Sequence, residues 1–197
     1  MVAAGRTGWA IGHAGAMTFE TAAAGAVPPP RTPGRPYRIG LVCLGNICRS
    51  PMAEVILRED LARAGLGEKV EVDSAGTGDW HLGETMDARA VAELTRRGYD
   101  GSGHESRQIG PSWLPGYDLL LAMDGANLAD LRAMAQGDPD LAGRIQLLRW
   151  FDPEVNPGSR YAEVPDPYHG GPDDYAHVFD LVSVALDGLI SQLAERL

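Results

Sequence analysis

The stretch Val42-Cys43-Leu44-Gly45-Asn46-Ile47-Cys48-Arg49-Ser50-Pro51 determines how the chain around it is organised. It follows an apolar run, 39–42, that is typical of a buried strand, and it precedes an apolar run, 52–57, that is typical of a helix. We expect Pro51 in the first turn of that helix and Ser50 as its N-cap. The stretch is therefore predicted to be a loop between the end of a strand and the start of a helix.

The residues of this loop indicate chemistry on an oxyanion. Free backbone N–H groups at the start of a helix form a concave site that favours an anion. Cys43 opens the loop, and a ring of N–H dipoles beside a guanidinium stabilises a thiolate. Arg49 closes the loop with the side chain best shaped to hold two phosphoryl oxygens. A buried structural cysteine is the alternative, but Cys-x5-Arg-Ser-Pro between a strand and a helix favours a nucleophile.

Composition limits the classes of function. The chain has 197 residues, of which 44% are hydrophobic and 22% charged, as in a globular domain. Its net charge of −10 argues against nucleic acid or an anionic membrane as a partner. The only two cysteines lie in the loop, which excludes a disulfide scaffold and a cysteine-rich zinc site. A working thiolate favours a reducing, cytoplasmic setting.

Residues 1–36 differ in composition from the rest of the chain. They are rich in Ala, Gly and Pro and show no sustained hydrophobic periodicity. We interpret them as a flexible leader, because such a segment buries little apolar surface. The catalytic domain is then expected to span 37–197.

From Arg38 onwards, predicted strands and helices alternate. This pattern implies parallel strands joined by crossover helices, and hence an α/β fold with three layers: a four-stranded parallel sheet with helices on both faces. The predicted strands are 39–42, 70–72, 117–122 and 145–148, and the predicted helices are 51–64, 87–97, 126–135 and 174–196. Ligands in such folds bind at the carboxyl ends of the strands, where Cys43 lies. Acidic residues interrupt the apolar face of the last helix, which favours packing on a core over a membrane span.

A reaction through a phosphorylated cysteine also needs a proton donor and, later, a base. Asp166 in Val164-Pro165-Asp166-Pro167-Tyr168 is the best candidate, because two prolines keep it in a loop. An ordinary turn aspartate is the alternative that the residues alone leave open.

The chain from about Arg38 to Leu197 resembles the low-molecular-weight protein tyrosine phosphatases, and its actinobacterial members most. The resemblance rests on the loop 42–51, on Asp73-Ser74-Ala75-Gly76-Thr77, on Trp80-His81 and on Asp166-Pro167-Tyr168. It implies the same four-stranded fold and hydrolysis of phosphotyrosine in proteins. By this resemblance Cys43 is the nucleophile, Arg49 the phosphate clamp and Asp166 the general acid and base.

The resemblance also implies supporting and substrate-binding roles. Asn46 matches a residue in a left-handed conformation that is supported by Ser74 and His104, and Ser50 matches a hydroxyl that stabilises the leaving thiolate. Trp80 and Tyr168 match the aromatic walls of the pocket, whereas His169 stands where relatives often have a second tyrosine. The loop residues expected to bind substrate are Leu44, Gly45, Asn46, Ile47, Cys48 and Ser50. No cofactor is expected, and no metal, because the other histidines lack ligand spacing; we expect a monomer.

Three other functions are alternatives to this interpretation. Arsenate reductases of the same fold need cysteines beyond the loop, and the chain has none after Cys48. Arginine phosphatases typically carry threonine where this chain has Ile47, whose apolar side chain suits a phosphotyrosine ring. A module that binds phosphate or senses redox state without turnover is the third. For redox chemistry, Cys48 is predicted to trap an oxidised Cys43 as a disulfide, if their geometry allows it.

Overall fold

The computed structural model describes residues 23–159 and 161–197. Within these residues it has four strands and five α-helices. In chain order these are β1 (Tyr37–Cys43), α1 (Arg49–Arg63), β2 (Val70–Gly76), α2 (Ala88–Arg96), β3 (Leu119–Ala122), α3 (Gly125–Met134), α4 (Pro139–Gly143), β4 (Ile145–Leu147) and α5 (Pro172–Arg196). The strands form one sheet in the order β2-β1-β3-β4, and every pair is parallel. The predicted four-stranded parallel α/β sheet is therefore confirmed.

The two faces of the sheet bury separate cores, because side chains on a strand point alternately to opposite faces. In β1, Ile39 and Leu41 belong to the core that contains α1 and α5. Val42 belongs to the other core, which contains Leu128 and Leu131 of α3. This alternation explains the helical layer on each side of the sheet.

The register of the sheet places its strand ends together. Cys43, the last residue of β1, pairs with Gly76, the last of β2, while Val42 pairs with Ala122, the last of β3. Ligands bind at this carboxyl edge in parallel α/β sheets. The loops that follow β1, β2 and β3 therefore share one edge with Cys43.

The helix α5 is long and apolar. It has a mean hydropathy of 1.3 and, within the described residues, is the one helix that could cross a membrane by length and composition. Many of its apolar side chains are buried in the core that it forms with α1, as is typical of a core helix. They include Val178, Val182, Leu186 and Leu189.

Several boundaries differ from the sequence prediction. The helix α1 begins at Arg49, so Ser50 lies inside it, and the predicted N-cap is wrong: Cys48 occupies that position without a side-chain cap. The Ser50 hydroxyl is instead bonded to side chains of the loop. Strand β2 continues to Gly76 because its end pairs with the whole second half of β1. The short helix α4 was not predicted.

The N-terminal segment, residues 23–36, lies against the domain. Gln146 of β4 receives a hydrogen bond from Gly25 N at 2.7 Å and donates one to Ala26 O at 2.9 Å. Gln192 of α5 does the same with Val27 N and Gly25 O. Val27 is only 2% exposed. A flexible leader does not describe this segment; the rest of the predicted leader, 1–22, lies outside the described residues.

Candidate active site

The loop 44–48 turns back over the end of β1. Asn46 adopts φ 54°, the left-handed region that asparagine tolerates better than most residues. Gly76 passes so close beneath the loop that a Cβ there would lie 2.6 Å from the carbonyl oxygen of Leu44. Backbone hydrogen bonds from Thr77 N to Cys43 O and from Gly78 N to Leu44 O fix the two loops together. The shape of the loop 44–48 therefore depends on the end of β2 as well as on its own residues.

The sulfur of Cys43 accepts polar contacts from within the loop. Asn46 N donates to Cys43 Sγ at 3.2 Å, and the Ser50 hydroxyl lies 3.0 Å from the same sulfur. Asn46 Nδ2 donates to Ser50 Oγ at 3.0 Å. The Ser50 hydroxyl has a single proton, which it donates either to Cys43 Sγ or to the carbonyl oxygen of Ala75, 3.3 Å away. The loop therefore directs the Asn46 N–H at the sulfur and keeps the Ser50 hydroxyl within hydrogen-bond distance of it.

A network of side chains supports the strained Asn46. Its Nδ2 donates to Ser74 Oγ at 2.9 Å, and its Oδ1 accepts from Arg107 N at 2.8 Å. His104 Nε2 lies 2.7 Å from the carbonyl oxygen of Asn46. Burial lowers the pKa of His104 below its ordinary value, so the ring donates as a neutral Nε2–H at pH 7. The structure thus brings Ser74 and His104 to Asn46, and it adds Arg107, which the sequence analysis did not assign.

Arg49 is buried and lies between two carboxylates. Its Nη1 donates to Asp124 Oδ2 and its Nη2 to Asp166 Oδ2, each at 2.6 Å. Nη1 also donates to the carbonyl oxygen of Val164 at 3.3 Å. Burial opposes the charge on Arg49, but Cys43 and the two carboxylates outweigh it and raise the pKa above the ordinary value. The guanidinium is therefore charged and fixed in orientation.

Asp124 is a second residue of this site, after Arg107, that the sequence analysis did not assign. It follows β3 and caps α3, where its Oδ1 accepts from Asn127 N at 2.8 Å. Two signals were available: an aspartate just after a buried strand lies at the ligand-binding edge, and Asp-Gly before a helical pattern is typical of a cap.

A cavity of about 410 Å³ opens above Cys43 and Arg49. Its walls combine the loop with two aromatic residues, Trp80 and Tyr168, which are 69% and 40% exposed. His81 and His169 flank Tyr168, with ring centroids 5.9 Å and 5.0 Å from its own. The remaining lining residues are Leu44, Gly45, Ile47, Cys48 and Asp166. A narrow charged base below an aromatic mouth suits a phosphate carried on a flat ring.

Cys48 differs from Cys43 in its surroundings. Both thiols are free and buried. Cys48 Sγ lies 3.4 Å from the hydroxyl of Tyr175 in α5, and burial raises the pKa of its thiol to about 12. At neutral pH Cys48 is therefore protonated and a poor nucleophile. Among the described residues, no cluster of three or more His, Cys, Asp or Glu side chains is arranged to hold a metal.

Comparison with known proteins gives the chain its relatives. The family model for low molecular weight phosphotyrosine protein phosphatase matches residues 38–197. A low molecular weight protein-tyrosine-phosphatase of Streptomyces coelicolor is 46% identical over 160 residues, covering 81% of this chain and 95% of that protein. Low molecular weight protein-tyrosine phosphatase A of Mycobacterium tuberculosis is 41% identical over 162 residues, covering 82% and 94%.

Solved structures agree with the sequence relatives. The crystal structure of YfkJ from Bacillus subtilis has a TM-score of 0.74 at 34% identity and covers 83% of this chain and 98% of that one. The protein tyrosine phosphatase of Entamoeba histolytica, with Hepes in its active site, has a TM-score of 0.74 at 33% identity and covers 81% and 97%. With a family model that matches nearly all of the chain beyond the N-terminal segment, this protein belongs to the low molecular weight phosphotyrosine protein phosphatase family.

Proposed function

We propose that this protein hydrolyses phosphotyrosine in proteins through a cysteinyl-phosphate intermediate. The observation that carries the proposal is that Cys43, Arg49 and Asp166 line one cavity, where Arg49 and Asp166 are paired with each other at 2.6 Å. The catalytic unit is residues 37–197. Because the net charge of the chain is negative, attraction for the phosphate comes from the loop 44–49 rather than from the protein as a whole.

In the first step the Cys43 thiolate attacks phosphorus and the bond to the tyrosine oxygen breaks. Backbone N–H groups of residues 44–49 and the fork of Arg49 hold the phosphoryl oxygens, since charge develops on them in the transition state. Asp166, protonated for this step, gives its proton to the leaving phenolate oxygen. Trp80 and Tyr168 bind the two faces of the ring.

In the second step water attacks the phosphocysteine. Asp166, now a carboxylate, takes the proton of the water, and the bond between phosphorus and sulfur breaks. The sulfur leaves as a thiolate, which the Ser50 hydroxyl, 3.0 Å away, stabilises. Phosphate is the second product, and Asp166 is protonated again for the next cycle.

The identity of the nucleophile is tested with the two cysteines of the loop. Cys43→Ser is expected to abolish turnover of p-nitrophenyl phosphate while the protein still binds phosphate. Cys48→Ser is the matched control and is expected to keep substantial activity, because the Cys48 thiol is protonated at neutral pH. Comparable losses in the two variants would contradict the assignment. The substrate class is then tested by comparing turnover of peptides that carry phosphotyrosine with turnover of peptides that carry phosphoarginine. We expect the phosphotyrosine peptides to be the better substrates, because the apolar Ile47 lies in the cavity wall.

The cell setting belongs to the same proposal. We assign the protein to the cytoplasm, because a catalytic thiolate needs a reducing compartment. We also expect it to be a monomer. Light scattering on the purified protein tests the monomer, and fractionation of the native cell tests the compartment.

Sensitivity to oxidation follows from the thiolate. Peroxide converts the Cys43 thiolate to a sulfenic acid, with reduction of the peroxide. Condensation with the Cys48 thiol then forms a disulfide and releases water. Because burial raises the pKa of that thiol to about 12, this step is slow at neutral pH and faster at higher pH. An added dithiol reduces the disulfide again. After peroxide treatment, dithiothreitol should restore the wild-type protein more fully than Cys48→Ser. Equal recovery would mean that Cys48 does not resolve the sulfenic acid.

A further inference from the structure

Arg89, the second residue of α2, contacts the loop that carries the general acid. Its Nη2 donates to the carbonyl oxygen of Tyr168 at 2.9 Å, and its Nη1 donates to that of Gly170 at 3.0 Å. Its guanidinium carbon lies 5.9 Å from the centroid of the Tyr168 ring and 4.9 Å from that of Tyr175, within the range of cation–π contact. Arg89 therefore holds both the backbone of the loop 166–170 and one aromatic wall of the cavity.

The same guanidinium is fixed from the other side by the cap of α2. Asp87 accepts hydrogen bonds from Arg89 Nε at 3.0 Å on one carboxylate oxygen and from Nη2 at 2.8 Å on the other. Asp87 is also joined to the nucleophile loop, because its backbone N donates to the carbonyl oxygen of Ile47 at 2.8 Å. A continuous set of hydrogen bonds thus runs from the nucleophile loop through Asp87 and Arg89 to the loop of Asp166.

Within the acid loop, the position of the carboxylate depends on the backbone that Arg89 holds. Asp166 Oδ1 accepts from Tyr168 N at 3.1 Å, and the carbonyl of the same Tyr168 accepts from Arg89. A shift of that residue would therefore move the carboxylate as well as the ring. An acid displaced by about 1 Å loses much of its effect, because proton transfer needs hydrogen-bond distance to the leaving oxygen.

We propose that Arg89 is a positioning residue for catalysis, which sets the distance between the loop of Asp166 and the loop of Cys43. This inference rests on the function proposed above. It does not require Arg89 to touch the substrate, since its hydrogen-bond donors go to Asp87 and to two loop carbonyls.

The variant Arg89→Met removes the fork while keeping a long apolar stem. Its matched control is Arg97→Met, at the other end of α2. Arg97 makes the same kinds of contact, a guanidinium 4.5 Å from the ring centroid of Phe179 and an ion pair with Asp180 of α5, but none with the acid loop. If Arg89 acted only by fixing α2 to α5, the two variants would behave alike.

The readout is kcat/KM for phenyl phosphate, whose leaving oxygen needs a proton, against p-nitrophenyl phosphate, whose leaving oxygen needs little. We expect Arg89→Met to lower the first by about tenfold more than the second, part of the 10²–10⁴ that general acid catalysis contributes. Arg97→Met is expected to leave the ratio of the two values unchanged. In an Asp166→Ala background, adding Arg89→Met should change the ratio no further, because the group it positions is gone.

The inference is overturned if Arg89→Met slows both substrates equally, if Arg97→Met changes the ratio as much, or if the change persists in the Asp166→Ala background. Should Arg89→Met fail to fold, Arg89→Lys, which keeps the charge without the fork, is measured in the same way with the same expectation. A Cys43→Ser protein that still turned over would instead overturn the proposed function itself. An unchanged ratio in Arg89→Met beside an inactive Cys43→Ser overturns only the role of Arg89.

Discussion

Nη2 of Arg49 donates to Oδ2 of Asp166 over 2.6 Å, so the proposed phosphate clamp and the proposed general acid are paired with each other. Phosphoryl oxygens bring further negative charge to the same guanidinium, so we expect them to displace this carboxylate. The displaced Asp166 is then free to take up a proton and face the leaving oxygen. On this expectation, substrate binding and release of the acid are one exchange of partners at Arg49.

This exchange predicts that Asp166→Asn binds inorganic phosphate more tightly than the wild type. The amide keeps the shape of the side chain but removes a negative charge that competes for Arg49 and repels the anion. The Asp166 side chain is 43% exposed, and exposed ion pairs contribute up to about 1 kcal/mol, so we expect a gain of about two- to fivefold in affinity. Isothermal titration calorimetry with phosphate measures it. Asp180→Asn, which removes an exposed carboxylate paired elsewhere, should bind like the wild type; weaker binding by Asp166→Asn would contradict the exchange.

The fold could be read from the sequence because its strands are short apolar runs separated by helical periods. Cys43 and Arg49 could be placed for a related reason, since the strand-loop-helix pattern fixes where they lie. The Arg49–Asp124 pair could not, because the two residues lie on different crossover units and only the order of the strands in the sheet makes them neighbours. The contacts of the N-terminal segment were missed because they are made by backbone groups with Gln146 and Gln192, and composition carries no sign of them.

Asp124 has two roles that can be separated by the choice of substitution. Asp124→Asn keeps an oxygen to cap α3 but removes the charge that orients Arg49, whereas Asp124→Ala removes both. We expect both variants to raise KM for p-nitrophenyl phosphate. Only Asp124→Ala should also lower the free energy of unfolding, by about 1 kcal/mol for the lost cap. Urea denaturation beside steady-state kinetics checks this, and an unchanged KM in both variants would show that Asp124 does not orient the clamp.

The lowered pKa of His104 predicts that the stability of the protein depends on pH. Burial lowers its pKa in the folded protein below the ordinary value of about 6.5, so the unfolded chain takes up the proton first as the pH falls. His104 therefore does not lower the free energy of unfolding above about pH 6.5, and it lowers that free energy progressively as the pH falls further. In His104→Gln the amide can still donate to Asn46 O but does not titrate.

The measurement for His104 is the midpoint of urea unfolding from pH 7.5 down to pH 5. The wild type is expected to lose more stability over this range than His104→Gln. The exposed His177→Gln serves as a control that should follow the wild type. If His104→Gln and the wild type lose stability in parallel, another group causes the dependence.

From the contacts of the N-terminal segment we expect residues 23–36 to stabilise the domain, although the family match begins after them. Its removal would expose the site of Val27 and leave the buried Gln146 without Gly25 and Ala26. The buried Asp118 would lose one of its two backbone donors, Arg31 N at 2.5 Å, and keep the other, Arg38 N at 2.8 Å. A buried polar group that loses its partner costs about 1–3 kcal/mol.

Two truncations isolate this contribution. Deletion of 1–22 keeps the contacts described for 23–36 and is the matched control, while deletion of 1–36 removes them. We expect the longer deletion to lower the free energy of unfolding by about 2–5 kcal/mol, for the lost partners and the exposed apolar surface together. Its kcat/KM at low temperature should stay close to that of the control, because Asp118 lies just before β3, at the edge of the sheet opposite Cys43. Gln192→Ala in the full chain removes only the contacts with Val27 and Gly25, so its stability should lie between those of the two truncated proteins. Equal stability of the two truncated proteins would show that the segment lies on the domain without stabilising it.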